Sequence, residues 1–291
     1  MPSSDPADIP IPDDDADMLS ICNLLQESAE SDINQLCHEI QRLGMMSLNN
    51  DVSEIYSRPR VTAYAASLGL NPGFALDLAV TDPDDGKPWN FDCKANRAKA
   101  LHKVRKERPR FLIGSPMCTA FSQLQNLSRN KGDVQEKKLL LANGIKHMKF
   151  CIQLYWEQLK HGRYFLQEHP NAATSWQLPE MVQLQLHPDV IRTKGHTCAY
   201  GMKSTDEKGE GLVQKPTGWA TNSPYVSIAV SRLCSNRWLP FSQRHRHVHL
   251  MSGRAKAAEV YPPKLRRAIL HGLRRQLVQD GAMSWYDIGA V

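Results

Sequence analysis

Apolar positions along the chain follow two rhythms. Over 18–46 they recur at helical spacing: Leu19, Cys22 and Leu25, then Ile33, Leu36, Cys37, Ile40 and Leu43. This predicts two helices divided near Ser31 and ending before Gly44, with Cys22 and Cys37 as packing residues. From residue 53 onward, short apolar runs alternate with amphipathic stretches. Strands are predicted at 53–57, 73–80, 111–114 and 164–167, and helices at 61–68, 97–106 and 136–160. The last of these carries Leu140, Leu141, Ile145, Met148, Ile152 and Trp156. Such alternation implies an α/β protein with a parallel, doubly wound sheet. After Pro170 the texture changes. Gly, Pro and polar residues dominate 171–222 and the helical period is lost, although 225–233 is apolar. A closing helix is predicted at 263–278, with Leu265, Ile269, Leu270, Leu273 and Leu277 on one face.

These segments suggest a division of the 291 residues. Residues 1–17 read as a disordered acidic tail and 18–50 as an N-terminal helical segment. A core follows over 51–170, then an irregular insert over 171–253 and a closing helical segment over 254–291. No apolar run approaches the ~20 residues needed to span a bilayer. The N-terminus carries acids where a secretory signal needs a basic start. The seven cysteines are scattered and odd in number. Free or metal-bound thiols in an intracellular, reducing compartment are therefore expected, rather than a disulfide framework.

The net charge of +6 conceals an asymmetry. Residues 1–41 hold ten acids and no Lys or Arg, so the remainder, with 36 basic and 20 acidic residues, carries +16. Arg237 to Arg275 contains ten basic residues and one acid, Glu259. A face of this kind suits a polyanion, most simply nucleic acid; a solvated basic surface is the plain alternative.

Two predicted strands end in residues with chemistry. The run 111–114 leads into Ser115-Pro116-Met117-Cys118-Thr119-Ala120-Phe121-Ser122, and 164–167 leads into Glu168-His169-Pro170. Open α/β sheets place their sites at the C-terminal ends of strands. A thiol and a carboxylate on neighbouring strand ends would suit nucleophilic catalysis paired with proton transfer. Separately, Cys198, Cys234, His245 and His247 are candidate zinc ligands, because a His-x-His pair on an extended segment points both rings to one side. His196 and His249 are substitutes, and a His-rich loop facing DNA is the competing reading.

The two strand-end motifs resemble those of the cytosine-C5 DNA methyltransferases, especially compact phage, prophage or mobile-element-encoded forms. The chain is also similar to methyltransferase-like segments in mobile-element polyproteins of dinoflagellate algae. Tyr200-Gly201, Lys215-Pro216-Thr217, Thr221-Asn222 and Tyr261-Pro262-Pro263-Lys264-Leu265 extend the likeness to about 53–275. The resemblance implies a Rossmann-like sheet that binds S-adenosylmethionine, with 171–253 serving target recognition. It implies Cys118 as the nucleophile that adds to cytosine C6, and Glu168 as the proton partner at N3, acting on a base flipped out of duplex DNA. Tyr56, Ser57, Asp77, Leu78, Asp92 and Pro116 fall on the cofactor side. Lys215, Arg244, Arg246 and Arg254 fall on the DNA side. Protein partners are left open.

The sequence also departs from that pattern. The family's glycine-rich cofactor loop reads Ser57-Arg58-Pro59-Arg60, Thr119 follows the cysteine, and His169 follows the glutamate. The glycine-free loop favours a second reading, a catalytically silent module that binds nucleic acid. A third is a structural or interaction domain of a mobile-element polyprotein, using its acidic N-terminal helices.

Overall fold

A computed structural model describes residues 14–46, 48, 50–121, 134–250, 254 and 256–284. The first thirteen residues of the expected acidic tail, Ser122 of the cysteine motif and residues 251–253 and 285–291 lie outside the described residues. The chain divides into two compact units, Met1–Gly44 and Met45–Val291.

The first unit is occupied by helix α1 (Asp14–Met46). It is one continuous helix rather than two. No Pro or Gly interrupts 14–43, and interior Ser or Asp costs only about 0.5 kcal/mol each, too little to break a long helix. Residues 14–17, assigned to the tail, form its first turn. The packing role expected for Cys22 and Cys37 is not borne out: both are exposed, as are Leu24, Leu25, Ile33, Leu36 and Ile40.

The second unit is built on a six-stranded sheet. Strands β1 (Val52–Ile55), β2 (Pro72–Leu76), β3 (Phe111–Gly114) and β4 (Tyr164–Pro170) are joined by β5 (Ile191–His196) and β8 (Pro216–Thr221). Their spatial order is β2-β1-β3-β4-β8-β5. The first four are parallel, and β8 runs antiparallel to both β4 and β5. The stretch 171–253, expected as an irregular insert, thus supplies two strands of the main sheet. It also carries a separate hairpin, β6 (Lys203–Asp206) with β7 (Gly209–Leu212).

Both faces of the sheet are covered, which explains why β1 and β3 are buried at every position. Val52, Phe111, Ile113, Leu166 and Trp219 pack on one side with Leu265, Ile269 and Leu273 of α7 (Pro263–Gln279). Ile55, Leu112 and Phe165 face the other way. They meet Ala100 and Val104 of α3 (Lys94–Glu107) and Met148, Ile152 and Tyr155 of α4 (Val134–Lys160). This is the period-two alternation of a strand.

Between β1 and β2 lie α2 (Thr62–Ala65) and a 3-10 turn ending at Gly69, whose left-handed φ of 68° closes the turn. The order reverses at β1, which has β2 on one side and β3 on the other. That switch point opens a crevice at the C-terminal strand ends. Two shorter helices, α5 (Pro179–Gln185) and α6 (Pro224–Val230), complete the unit. Among the described residues no helix is long and apolar enough to cross a membrane.

Candidate active site at the strand ends

Beyond β3 the chain cannot continue as a strand, because Pro116 lacks the N–H a ladder requires. The turn it enters is anchored at three points. Ser115 donates its backbone N–H to the Ile55 carbonyl at 3.2 Å, and its hydroxyl lies 2.9 Å from the Tyr261 hydroxyl. The Pro116 carbonyl accepts a hydrogen bond from His169 Nε2 at 3.2 Å. Phe121 is buried edge-on against the His169 ring and donates its N–H to the Cys118 carbonyl at 3.0 Å. Cys118 is thereby presented from a fixed turn, partly exposed.

Gly114, the last residue of β3, is required by close approach: a Cβ there would sit 1.9 Å from the Tyr155 hydroxyl. That hydroxyl donates to Gln167 Oε1 at 2.5 Å. Gln167 therefore faces α4, and by strand alternation Glu168 faces the opposite side. Strand β4 runs three residues past its predicted end, through Glu168 and His169 to Pro170, because the antiparallel β8 pairs with it there: Glu168 opposes Trp219 and His169 opposes Gly218.

His169 is fully buried and neutral. Burial lowers its pKa from 6.5 to about 4. A carbonyl can only accept, so Nε2 carries the hydrogen to Pro116 and Nδ1 accepts from the Ser175 hydroxyl at 2.6 Å. The imidazole thus ties the cysteine turn to β4.

Cys118, Glu168 and Lys215 form one electrostatic group. Burial and the Glu168 carboxylate push the Cys118 thiol above its ordinary range, while Lys215 draws it back down. Lys215 Nζ stands 3.4 Å from Glu168 Oε1, and the carboxylate raises the ammonium's pKa. Lys215 was expected on a DNA-facing surface. Its side chain is only 20% exposed and is directed at Glu168 instead. Tyr261 completes the floor. Burial, and next the nearby Glu168 charge, hold its phenol protonated, so its bond with Ser115 is between neutral hydroxyls.

The loop after β1 is organised by a residue that sequence reasoning missed. Glu54 is 1% exposed, and its carboxylate accepts hydrogen bonds from the backbone N–H groups of Arg60, Val61 and Thr62 and from the hydroxyls of Thr62 and Ser57, all at 2.8–2.9 Å. A carboxylate at a helix N-terminus satisfies its orphan donors and complements its dipole. The available signal was an acid within an otherwise buried four-residue strand, with a Thr at the start of the next helix. Tyr56 adopts a left-handed φ of 58°, a conformation usual for glycine. Its hydroxyl meets His147 Nδ1 at 2.9 Å and its ring packs on Phe91 at 4.8 Å. These contacts hold a backbone state that costs about 1–3 kcal/mol in a non-glycine residue.

The residues expected on the cofactor side lie in the segments that follow β1, β2 and β3. Ser57 is engaged by Glu54 and by the Arg58 carbonyl. Asp77, half-buried just after β2, accepts the Ala79 N–H at 2.9 Å. Leu78 is 61% exposed. Asp92 pairs with Lys146 at 2.7 Å, which holds its carboxyl below the usual range, and His147 lies 3.3 Å away. Pro116 is buried in the cysteine turn.

Of the DNA-side arginines, Arg246 is committed to Asp206 at 2.8 Å and to the Gly209 carbonyl. Arg244 is exposed and bonds the Leu239 carbonyl, while Arg254 bonds that of His249. Arg244 lines a cavity of about 460 Å³ with Lys194, Arg237 and Trp238. Elsewhere on the basic stretch, Arg266 and Arg275 lie over Tyr64 and Tyr225, and Arg274 is buried. The candidate metal ligands Cys198, Cys234, His245 and His247 converge, with their donor atoms all within 4.8 Å of one another.

The sheet order, with four parallel strands and a reversed β8, makes this a Rossmann-like α/β protein. No family model matches the chain, and no curated protein matches it in sequence. Among solved structures, an Entamoeba histolytica methyltransferase aligns with a TM-score of 0.33 and 10% identity, covering 61% of this chain and 54% of its own. The alignment therefore spans about half the length of that protein.

Proposed function

We propose that this chain is an S-adenosylmethionine-dependent methyltransferase acting on C5 of cytosine in DNA, in an intracellular compartment. The grouping of Cys118, Glu168 and Lys215 at adjacent strand ends supports the reading most directly. S-adenosylmethionine, when bound, supplies an electrophilic methyl group. The residues present suit it. Asp77 offers a carboxylate at the end of β2 for ribose hydroxyls. The α2 amides are already taken by Glu54, so the cofactor's own carboxylate would be held by other groups.

Cytosine C5 is a poor nucleophile until C6 has been attacked. Cys118 first loses its proton to solvent, and its thiolate then adds to C6. Glu168 takes up a proton from solvent as the base enters and gives it to N3 as negative charge develops there. Once C5 has gained its substituent, solvent water takes the C5 proton, N3 returns its proton to Glu168, and the C6–S bond breaks with the thiolate leaving. Lys215 stabilises negative charge shared between Cys118 and Glu168. The exposed arginines hold the phosphate backbone, and the base must leave the duplex to reach the cleft.

Duplex DNA containing 5-fluorocytosine tests this, because fluorine at C5 blocks release of the enzyme. With S-adenosylmethionine present, wild type should form a covalent adduct and Cys118→Ser should not. Absence of an adduct with wild type across diverse sequences overturns the catalytic reading. One observation favours the silent nucleic-acid-binding module: the resting Cys118 thiol lies above its ordinary pKa range. Salt-sensitive DNA binding without any adduct or cofactor binding would select that module. Loss of both would leave the structural domain of a mobile-element polyprotein.

A further inference from the structure

The four convergent side chains come from three separate segments. Cys198 lies in a turn after β5, Cys234 precedes a second turn, and His245 and His247 alternate along an extended stretch. Cys234 Sγ is 3.4 Å from His245 Nε2 and 3.5 Å from His247 Nε2, and the two imidazole nitrogens are 2.8 Å apart. Zinc bonds of ~2.3 Å to sulfur and ~2.0 Å to nitrogen give tetrahedral edges of roughly 3.3–3.8 Å. The two separations from Cys234 lie in that range, the nitrogen–nitrogen edge needs a small opening, and Cys198 lies with the others inside 4.8 Å.

The surroundings fix these donors independently of any ion. The Asn236 side chain brackets His245, accepting its N–H at 3.0 Å and donating to its carbonyl at 2.7 Å. Backbone bonds between Leu212 and both Arg246 and Val248 hold the histidine segment against β7. Arg246 turns away to Asp206, as alternation along an extended segment requires. Cys234 donates its N–H to His196 Nδ1 at 3.1 Å. His196, a substitute ligand on sequence grounds, therefore supports the cluster from outside.

We propose that Cys198, Cys234, His245 and His247 bind one zinc ion in a closed, structural Cys2His2 site. Two thiolates and two imidazoles select zinc over hard cations such as calcium or magnesium, and four protein ligands leave no open position for catalysis. The site cross-links segments that otherwise share little apolar core. It also reaches the cleft. Thr197, beside Cys198, takes the Lys215 N–H on its hydroxyl at 3.0 Å and donates its own N–H to the Lys215 carbonyl at 3.3 Å. The zinc centre thus underlies the backbone of the lysine that faces Glu168. This inference stands whether or not the protein methylates DNA.

Elemental analysis of the purified full chain, after zinc addition under reducing conditions, tests it. About one zinc per chain is expected. Cys198→Ser and Cys234→Ser should each lose it, while Cys93→Ser, at an exposed cysteine just before α3, should retain it. A chelator should lower the melting temperature of wild type. Should the serine variants fail to fold, cobalt(II) titration of wild type replaces them, and a thiolate-to-cobalt charge-transfer band is the expected result. A metal-free wild type, a Cys198–Cys234 disulfide in its place, zinc retained by both serine variants, or cobalt bound without that band would each overturn the proposal.

Discussion

Lys215 and Glu168, 47 residues apart in sequence, face each other across the cleft with Nζ 3.4 Å from Oε1. The pair sits beside Cys118 and acts on it in opposite senses, the carboxylate raising the thiol's pKa and the ammonium lowering it. The resting site is therefore nearly balanced in charge and holds Cys118 as a thiol. Binding a substrate that takes up the Glu168 proton partnership would change that balance.

The pH dependence of Cys118 alkylation, followed by peptide mass spectrometry, should expose this balance. Glu168→Gln removes the carboxylate charge and should shift the profile down by about one pH unit. Lys215→Met should shift it up by a similar amount. Shifts in the same direction for both variants would contradict the arrangement.

Glu54 should be a stability determinant. Glu54→Ala leaves the first-turn amides of α2 and two hydroxyls without their acceptor, and the expected loss is about 3 kcal/mol or more in denaturant unfolding. Glu54→Gln keeps an acceptor oxygen and should lose less. Equal stability of Glu54→Ala and wild type would show that the loop is held by other contacts.

His169 links stability to pH. Its folded pKa, about 4, lies below the ordinary 6.5, so the unfolded chain binds the proton first. The neutral ring's contribution is complete above about pH 6.5 and is lost progressively as pH falls towards 4. It amounts to about 3 kcal/mol at the acid limit. Wild type should therefore lose more stability than His169→Asn between pH 7 and pH 5, measured by urea unfolding. Parallel losses in the two proteins would refute this.

The basic stretch Arg237–Arg275 should bind duplex DNA with less charge than its composition suggests. Arg246 is ion-paired and Arg274 buried, while Arg237, Arg244, Lys256, Lys264, Arg267 and Arg275 remain exposed. If five of these reach phosphates, log affinity should fall against log salt with a slope of about −4 to −5. Arg244→Ala should flatten that slope by about one, and Arg246→Ala should leave it unchanged.

Local pattern determined a good deal of this protein. The strand 111–114 lies where its apolar run predicts, the helices at 97–106 and 136–160 begin three and two residues earlier than predicted, and the alternation of elements gave the four parallel strands but not β5 or the antiparallel β8. These features follow from the burial period of each segment, which its own residues set. Residue type and the His-x-His spacing named Cys198, Cys234, His245 and His247 as candidate ligands beside His196 and His249, and the fold brings the first four together.

Tertiary structure decided what depends on distant partners. Strand β4 extends to Pro170 only because β8 pairs with it. Lys215 reads as a DNA contact until the start of β8 directs it at Glu168, and Arg246 reads as a phosphate contact until the β6–β7 hairpin presents Asp206. Glu54 gains its role when α2 turns its amides back onto β1. A charged side chain's environment is set by what folds against it, and a long-range electrostatic partner leaves no periodic trace in the sequence that carries it.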